Sequence, residues 1–421
     1  MANIKARERN IIAIDGTPGL QHTRFASQSL HIVIDEKGFT DVELDFSDCK
    51  ALFPNFMLPL IALCRDRRKS DNIEFTIKLP ESKDLQSLFH NANWSYLLND
   101  RLYKPTTYRG GIHVPAIAFN DFTEQSEAVD SVTNMLMGQL DSIELKDLGA
   151  LDWCVQEITE NVLNHAECPS GGIIQASVYS KNQEVEIIVS DAGIGVAKSL
   201  GISDHRKALE ECILEDRTRD KNNNQGNGLF GSFEIAVESG GIFSITSGKA
   251  TLIAKSIDDK QWLTPESNSF YKGTSVSTKI NCSDPDLIAK ALKFRGKIHE
   301  PQFGYIDSKF FKSDLGEYHF NLKSDIVSFA NRHYGKVAFN KILRILEQSE
   351  GSPVAIDFEG IRIISSSFAD EAFGKLFAKI GPIRFHQQIK LKNMNPNISG
   401  LIDLAITKRF ISNNGSATTQ E

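Results

Sequence analysis

Features that would place the chain outside the cell or in a membrane are scarce. The six cysteines, Cys49, Cys64, Cys154, Cys168, Cys212 and Cys282, show no CxxC spacing and are expected as reduced thiols. No apolar run is long enough to cross a bilayer; the longest, around Phe56 to Cys64, is interrupted by Pro59. The beginning of the chain has no signal-peptide apolar region, so a cytoplasmic protein with no membrane span is expected. Positive charge is also short: 47 Lys and Arg stand against 54 Asp and Glu, for a net charge of -7. That balance argues against a large nucleic-acid footprint, which needs clustered cations to displace counterions. Arg65, Arg67 and Arg68 sit close together, and a solvated helix end accounts for them.

What remains is an ordinary globular composition, 41% hydrophobic and 24% charged, in 421 residues, enough for roughly two to four domains. Three blocks can be read. Residues 1–112 open with the apolar strands "IIAI" and "LHIVI", continue through "VELDFSDCKALFPNFMLPLIALCRDRR" and reach the strand "IEFTIKL". Short strands alternating with amphipathic helices indicate an α/β layer structure. Residues 305–421 run through "KVAFNKILRILEQSEG", "SPVAIDFEGIRIISSSFADEAFGKLF" and "QIKLKN" to a final helix, echoing the first block. The echo extends to residues: Asp45-Phe46 and Phe56 recur as Asp357-Phe358 and Phe368 at the same spacing, which reads as a repeated module. "YKPTTYRGG" and "NCSDPDLIAK" bound the middle block, 113–283.

That middle block carries the chemistry. "QEITENVLNHA" puts Glu157, Asn161 and His165 four residues apart, one polar stripe on a helix, beside the apolar series Leu148, Leu151, Val155, Ile158 and Val162. Either the stripe walls a pocket or it is the solvated side of an amphipathic helix. After the strands "GIIQASVY" and "EVEIIVS" comes "DAGIG", Asp191 to Gly195, where glycines after a strand allow close backbone approach. "NNNQGNGLFGSFEIAVESGG" then places Gly226, Gly228, Leu229 and Gly231 ahead of a helical segment whose free N–H groups suit phosphate oxygens. A last strand ends at "YKGTSVST", with Gly273-Thr274.

In order and in context these four stations resemble the nucleotide-binding boxes of the GHKL ATPase superfamily, over roughly residues 120–282. The resemblance implies a Bergerat-type α/β sandwich that binds Mg²⁺ and ATP. Asn161 would hold Mg²⁺ through its amide oxygen. Asp191 would bind the adenine amino group, supported by the Thr274 hydroxyl. Gly193 and Gly195 would make room for the base, and the Gly226–Gly231 loop would close over the phosphates. His165 would be a hydrogen-bonded wall residue, and Val196 to Gln225 a mobile lid. The pattern Glu157-x-x-x-Asn161-x-x-x-His165 looks most like the anti-sigma-factor serine kinases, in which Glu157 would be the general base; otherwise it solvates the helix or pairs with a neighbour. Phe230 stands where many such kinases have glycine, and no phosphoacceptor-histidine helix precedes the block.

Both flanking blocks resemble STAS-type domains, the fold of anti-anti-sigma factors, so the overall class is α/β with a central ATPase sandwich between STAS-like domains. At the place of the phosphoacceptor serine of STAS antagonists stand Ser365-Ser366-Ser367, with Ser366 as either acceptor or helix cap, and Phe53-Pro54-Asn55 in the first block, with no hydroxyl. The expected partners are a protein or the chain's own STAS-like domains, with a homodimer also allowed. Two functions stay open: a kinase or ATPase, and a nucleotide-gated interaction switch.

Overall fold

The structure is a computed structural model that describes residues 3–6, 9–141, 143–215, 228–263, 269–285 and 287–415, with side chains to residue 411. Its compact units number two. One takes residues 1–108, 113–132 and 149–301; the other takes 109–112, 133–148 and 302–421. The first and middle blocks of the sequence therefore share a unit.

The first block folds as a four-stranded sheet, β1 (Asn3–Ala6), β2 (Ile11–Asp15), β3 (Asp41–Asp45) and β4 (Glu74–Lys78), in that order. β1 and β2 are antiparallel, and β2, β3 and β4 are parallel. Its helices are α1 (Thr23–His31), α2 (Pro54–Asp71), α3 (Lys83–Asn91) and α4 (Trp94–Leu98). α2 begins with Pro54, whose fixed φ and missing N–H suit a first helical position. It ends at Asn72 in the left-handed conformation.

The middle block is a seven-stranded sheet built from β5 (His113–Phe119), β6 (Gly172–Tyr179), β7 (Glu184–Asp191), β8 (Ile242–Gly248), β9 (Ala250–Ala254), β10 (Lys260–Leu263) and β11 (Tyr271–Asn281). The order is β10-β9-β8-β11-β7-β6-β5, and every pairing is antiparallel. β6 is buried at seven of its eight positions, so both of its faces are covered. The helices of this block are α5 (Phe122–Gln139), α6 (Leu145–His165), α7 (Gly195–Leu200), α8 (His205–Cys212) and α9 (Gly228–Glu238). α9 packs on β8 and β11, while α2 of the first block lies on β6, β7 and β11. By the pleat, Ile173 and Gln175 face the first block and Ile174 and Ala176 face away. Ile173, Ile188, Ala116, Ala192 and Tyr271 join the core of the first block.

Polar groups are matched across this joint. Trp94 Nε1 donates to Gln175 Oε1 at 2.9 Å, and Asn93 Nδ2 to the Ala116 carbonyl at 2.9 Å. Buried Arg24 donates to the carbonyls of Lys249 (3.1 Å) and Leu263 (3.0 Å). The three neighbouring arginines of α2 are not a solvated helix end. Arg65 reaches the Ser170 carbonyl (3.3 Å), Arg67 pairs with Asp35 and Asp71, and Arg68 reaches the Leu97 carbonyl (3.4 Å). A hairpin of β12 (Lys293–Phe294) and β13 (Lys297–Ile298) closes the unit.

The second unit repeats the first block's topology. Its sheet is β14 (Phe311–Lys312), β15 (Glu317–Asn321), β16 (Val354–Asp357) and β17 (Ile389–Lys392), with one antiparallel pair followed by two parallel ones. The repeat extends to hydrogen bonds. Asp45 Oδ1 accepts from Ser47 N, as Asp357 Oδ1 does from Glu359 N. Phe46 N donates to the Lys78 carbonyl, as Phe358 N does to that of Lys392. Phe46, Phe56, Phe358 and Phe368 are all fully buried.

Residues 133–148 belong to this unit because the helix Arg332–Gln348 holds their carbonyls. Asn340 Nδ2 donates to Gly138 O (3.0 Å), and Arg344 Nη2 donates to Leu140 O (2.8 Å) and Ile143 O (3.2 Å). Burial pushes the Arg344 pKa down to about 10, yet the guanidinium satisfies carbonyls at and beyond the end of α5, where a cation is favoured. Arg344→Met should leave those carbonyls unpaired and destabilise the unit by roughly 1–3 kcal/mol. Urea unfolding of the full chain measures it; an unchanged midpoint would mean that water replaces the guanidinium.

Candidate functional site

α6 is helical because its apolar residues recur every three or four positions. Leu148, Leu151, Val155, Ile158 and Val162 are all buried. Glu157, Asn161 and His165 are half-buried at the margin of that face. Two of the four stations come to opposite ends of this stretch, about 13–14 Å apart at 1.5 Å per residue from Glu157 to Ala166.

At one end α9 starts against Glu157. A Cβ on Gly228 would lie 2.4 Å from Glu157 Oε2, and one on Gly231 would lie 2.6 Å from the Trp153 ring. Trp153 and Glu157 are one turn apart, as are Gly228 and Gly231, so the missing side chains let two helices approach closely and bring a carboxylate to a helix start. Burial, with Glu160 adding to it, raises the Glu157 pKa to about 7. Phe230 packs beside Phe294, with ring centres 6.2 Å apart, and Phe294 also contacts Trp153 (5.6 Å), so the departure at this position is taken up by an aromatic cluster. Leu229 is half-buried in the first turn of α9. Gly226 lies outside the described residues.

At the other end β7 delivers Asp191. Its Oδ1 accepts from Gly193 N (2.8 Å) and Thr274 N (3.3 Å), residues from two separate stations. Burial drives the Asp191 pKa to about 7; the two N–H bonds oppose the shift and Asp66 adds to it. The contact from Thr274 to Asp191 is made by its backbone N–H. The glycines are required by space. A Cβ on Gly193 would fall 2.1 Å from the Ala166 carbonyl, and one on Gly273, at φ +107, would fall 2.2 Å from the Asp191 carbonyl. Gly195, at φ +75, has no room beside Ser247 Oγ. Ile194 N donates to Ala166 O (2.8 Å), which ties the loop to the end of α6.

Gly193, Gly195 and Gly273 line a cavity of about 390 Å³ together with His205, Ser247 and Lys272; Asp191 lies behind its wall, next to the lining residue Ala192, and Thr274, Asn161 and His165 are outside the lining. The volume lies in the ordinary range for small-molecule sites. Ser247 and His205 escaped the sequence reading. Ser247 Oγ accepts from Val196 N (3.0 Å) and donates to Gly273 O (2.7 Å), locking two stations together. Among the described residues His205 Nδ1 is buried without a hydrogen-bond partner. A serine in "ITSG" and a histidine in a presumed loop carry no pattern in sequence.

The segment expected as a mobile lid, 196–225, is different in its first part. α7 and α8 pack on the sheet with Val196, Ala208, Leu209, Cys212 and Ile213 buried; residues 216–227 lie outside the described residues. Among the described residues no group of three or more His, Cys, Asp or Glu converges on a metal site. Mg²⁺ held by Asn161 would complete its shell with waters and phosphate oxygens, as that ion commonly does.

In the last block Ser365 is the helix cap, its Oγ accepting from Phe368 N at 3.0 Å. Ser366 occupies the first helical position and is exposed.

Residues 334–399 match a family model described as a STAS-like domain of unknown function (DUF4325). The last block carries a STAS-like domain. The first block, outside that match, has the same strand order and directions. No curated protein matches the chain. Among the described residues no helix is long and apolar enough to cross a membrane.

Gly273→Ala tests the site's close packing. With no room for a methyl group and a strained φ, it should cost roughly 1–3 kcal/mol. A thermal melt unchanged from wild type would show that the segment is free to shift.

Proposed function

We propose that the chain is an ATP-responsive regulator in which a GHKL-type nucleotide site is coupled to STAS-like modules. The observation that carries this reading is the meeting of three separated segments at Asp191, with its carboxylate buried beside a cavity. Both hydrogen bonds described for Asp191 fall on Oδ1, which leaves Oδ2 to accept from an exocyclic amine. An adenine amino group fits that acceptor; the guanine carbonyl would set acceptor against acceptor. Asn161, between the two ends of the site, would hold Mg²⁺. N–H groups at a helix start suit phosphate oxygens, and Gly228, Leu229 and Gly231 in the first turns of α9 would supply that approach. His165 stands one turn beyond Asn161 as a wall residue.

Mg·ATP, when bound, would supply a transferable phosphoryl group. Glu157 is suited to accept a proton from a hydroxyl or water, because a general base works best with a pKa near the operating pH. Ser366 is a candidate acceptor, in cis or in trans, now that Ser365 makes the cap. The reading closest to the residues is therefore an anti-sigma-factor-kinase-like enzyme whose partner is a protein or its own STAS-like domain. A second reading, a nucleotide-gated switch with slow turnover, is favoured by the core that the first block shares with the sheet.

Calorimetry tests the nucleotide site. ATP should bind and GTP should bind poorly, with Asp191→Asn weakening ATP on the order of 1–3 kcal/mol. A donated hydrogen bond favours the ionised carboxylate, so binding should release a proton and affinity should rise with pH through about 7, then level off. Absence of ATP binding by the wild type would sink the reading.

Turnover should also rise with pH through about 7, as Glu157 ionises. Glu157→Gln should keep nucleotide affinity and lose turnover by ~10²-fold or more. Phosphate found on Ser366 by mass spectrometry, and absent in Glu157→Gln, is the kinase outcome. Phosphate on none of Ser365 to Ser367, in protein that binds ATP, selects the switch.

A further inference from the structure

Between Tyr271 and Thr274 the pairing of β11 with β8 shifts register, so this segment leaves the regular ladder. It nevertheless makes close contacts around Asp191. Tyr271 OH donates to the Asp191 carbonyl at 2.6 Å, Gly273 rests on the same peptide, and Thr274 N reaches the carboxylate. A bulged segment needs a constraint other than ladder bonds to hold such a geometry. Lys272 supplies one. Its Nζ donates to Asp66 Oδ2 at 2.6 Å, and Asp66 belongs to α2 of the first block, 206 residues away in sequence and 2% exposed. Tyr271, 1% exposed, is part of the core shared with that block.

Resting on the reading of Asp191 as the base acceptor, we propose that Asp66 is a positioning residue of the nucleotide site. Through Lys272 it fixes residues 271–274 on Asp191 and makes the first STAS-like block part of the binding machinery. Asp66 comes from α2, Lys272 and Tyr271 from β11, and Cys168 from the turn after α6. Burial, with Asp191 adding, keeps Tyr271 and Cys168 protonated near neutral pH. Asp66 acts on Asp191 to raise it, and Lys272, paired with Asp66 at 2.6 Å, carries the opposite charge; Glu167, Lys198 and His205 line the same cavity.

The opposite signs provide the test. The carboxyl infrared band of Asp191, obtained as the difference between wild type and Asp191→Asn, is followed against pH in the nucleotide-free full chain. Asp66→Asn leaves Lys272 positive and should move the midpoint down; Lys272→Met leaves Asp66 negative and should move it up, each by at least ~0.5 pH unit. Lys272 is half exposed, so its variant remains informative should Asp66→Asn fail to fold. Both variants should also weaken ATP binding by about tenfold at pH values above the midpoint. Midpoints that coincide with wild type, or that move the same way in both variants, overturn the proposal. Opposite shifts in a protein that ignores ATP would establish the positioning of Asp191 and sink the nucleotide reading alone. ATP bound through Asp191 with coincident midpoints would do the reverse.

Discussion

A sheet with apolar residues on both faces must be covered on both, and that requirement organises the larger unit. β6 and β7 are nearly continuous runs of buried residues, Ile173, Ile174, Ala176 and Val178 on one and Ile187, Ile188 and Val189 on the other. The face carrying Ile173 and Ile188 takes α2, which is buried at every position from Phe56 to Cys64 and lies on β6, β7 and β11, while α9 packs on β8 and β11. Apolar burial drives this joint, and the polar pairs of Trp94, Asn93, Arg24 and Asp66 fix its register, because a buried polar group without a partner costs about 1–3 kcal/mol. The first block is thus a structural half of the unit that contains the candidate site.

The same burial sets the chemistry. Asp191 and Glu157 are pushed up to about 7 by desolvation, with further negative charge from Asp66 and Glu160 adding to it. Burial also raises Glu234 and Glu347, whereas carboxylates held by cations behave in the opposite way. Glu317 is held down at about 2 by Lys390 and Lys392, and Asp370 is lowered by Arg409. Those are structural ion pairs. A carboxylate kept from water without a cation beside it is costly to the fold, and such groups concentrate where a ligand or a proton is to be handled.

Much of this was legible in the sequence. The helical period of α6, the glycines after β7 and the Asp-Phe repeat each reflect local rules: side-chain spacing, positive φ, and a strand end followed by a turn. Thr274 showed where that rule stops, since the strand end was readable but the backbone N–H contact was not. The joint between α2 and the sheet was hidden, because burial on both faces looks in sequence like any apolar strand. The role of Arg65, Arg67 and Arg68 depended on where distant carbonyls and Asp35 would fall. Ser247, His205 and the packing of α7 and α8 were likewise tertiary facts.

The two copies of this four-stranded topology show what that joint does to a repeated module. In the first, the helix after β3 is an uninterrupted run from Pro54 to Asp71, starts with Phe53-Pro54 and lacks a side-chain cap. In the last, its counterpart is broken into Ser366–Ala369, a π-helical turn over Asp370–Gly374, and Lys375–Ile380, and it begins with a serine cap. A helix buried against two sheets has little use for an exposed hydroxyl start, since every polar group there would need a partner. The copy enclosed in the larger unit accordingly presents apolar residues on several sides. The other keeps an open helix start, with Ser366 exposed and Ile363 73% exposed beside it. Burial has made one copy a packing element, while the corresponding helix start of the other stays exposed.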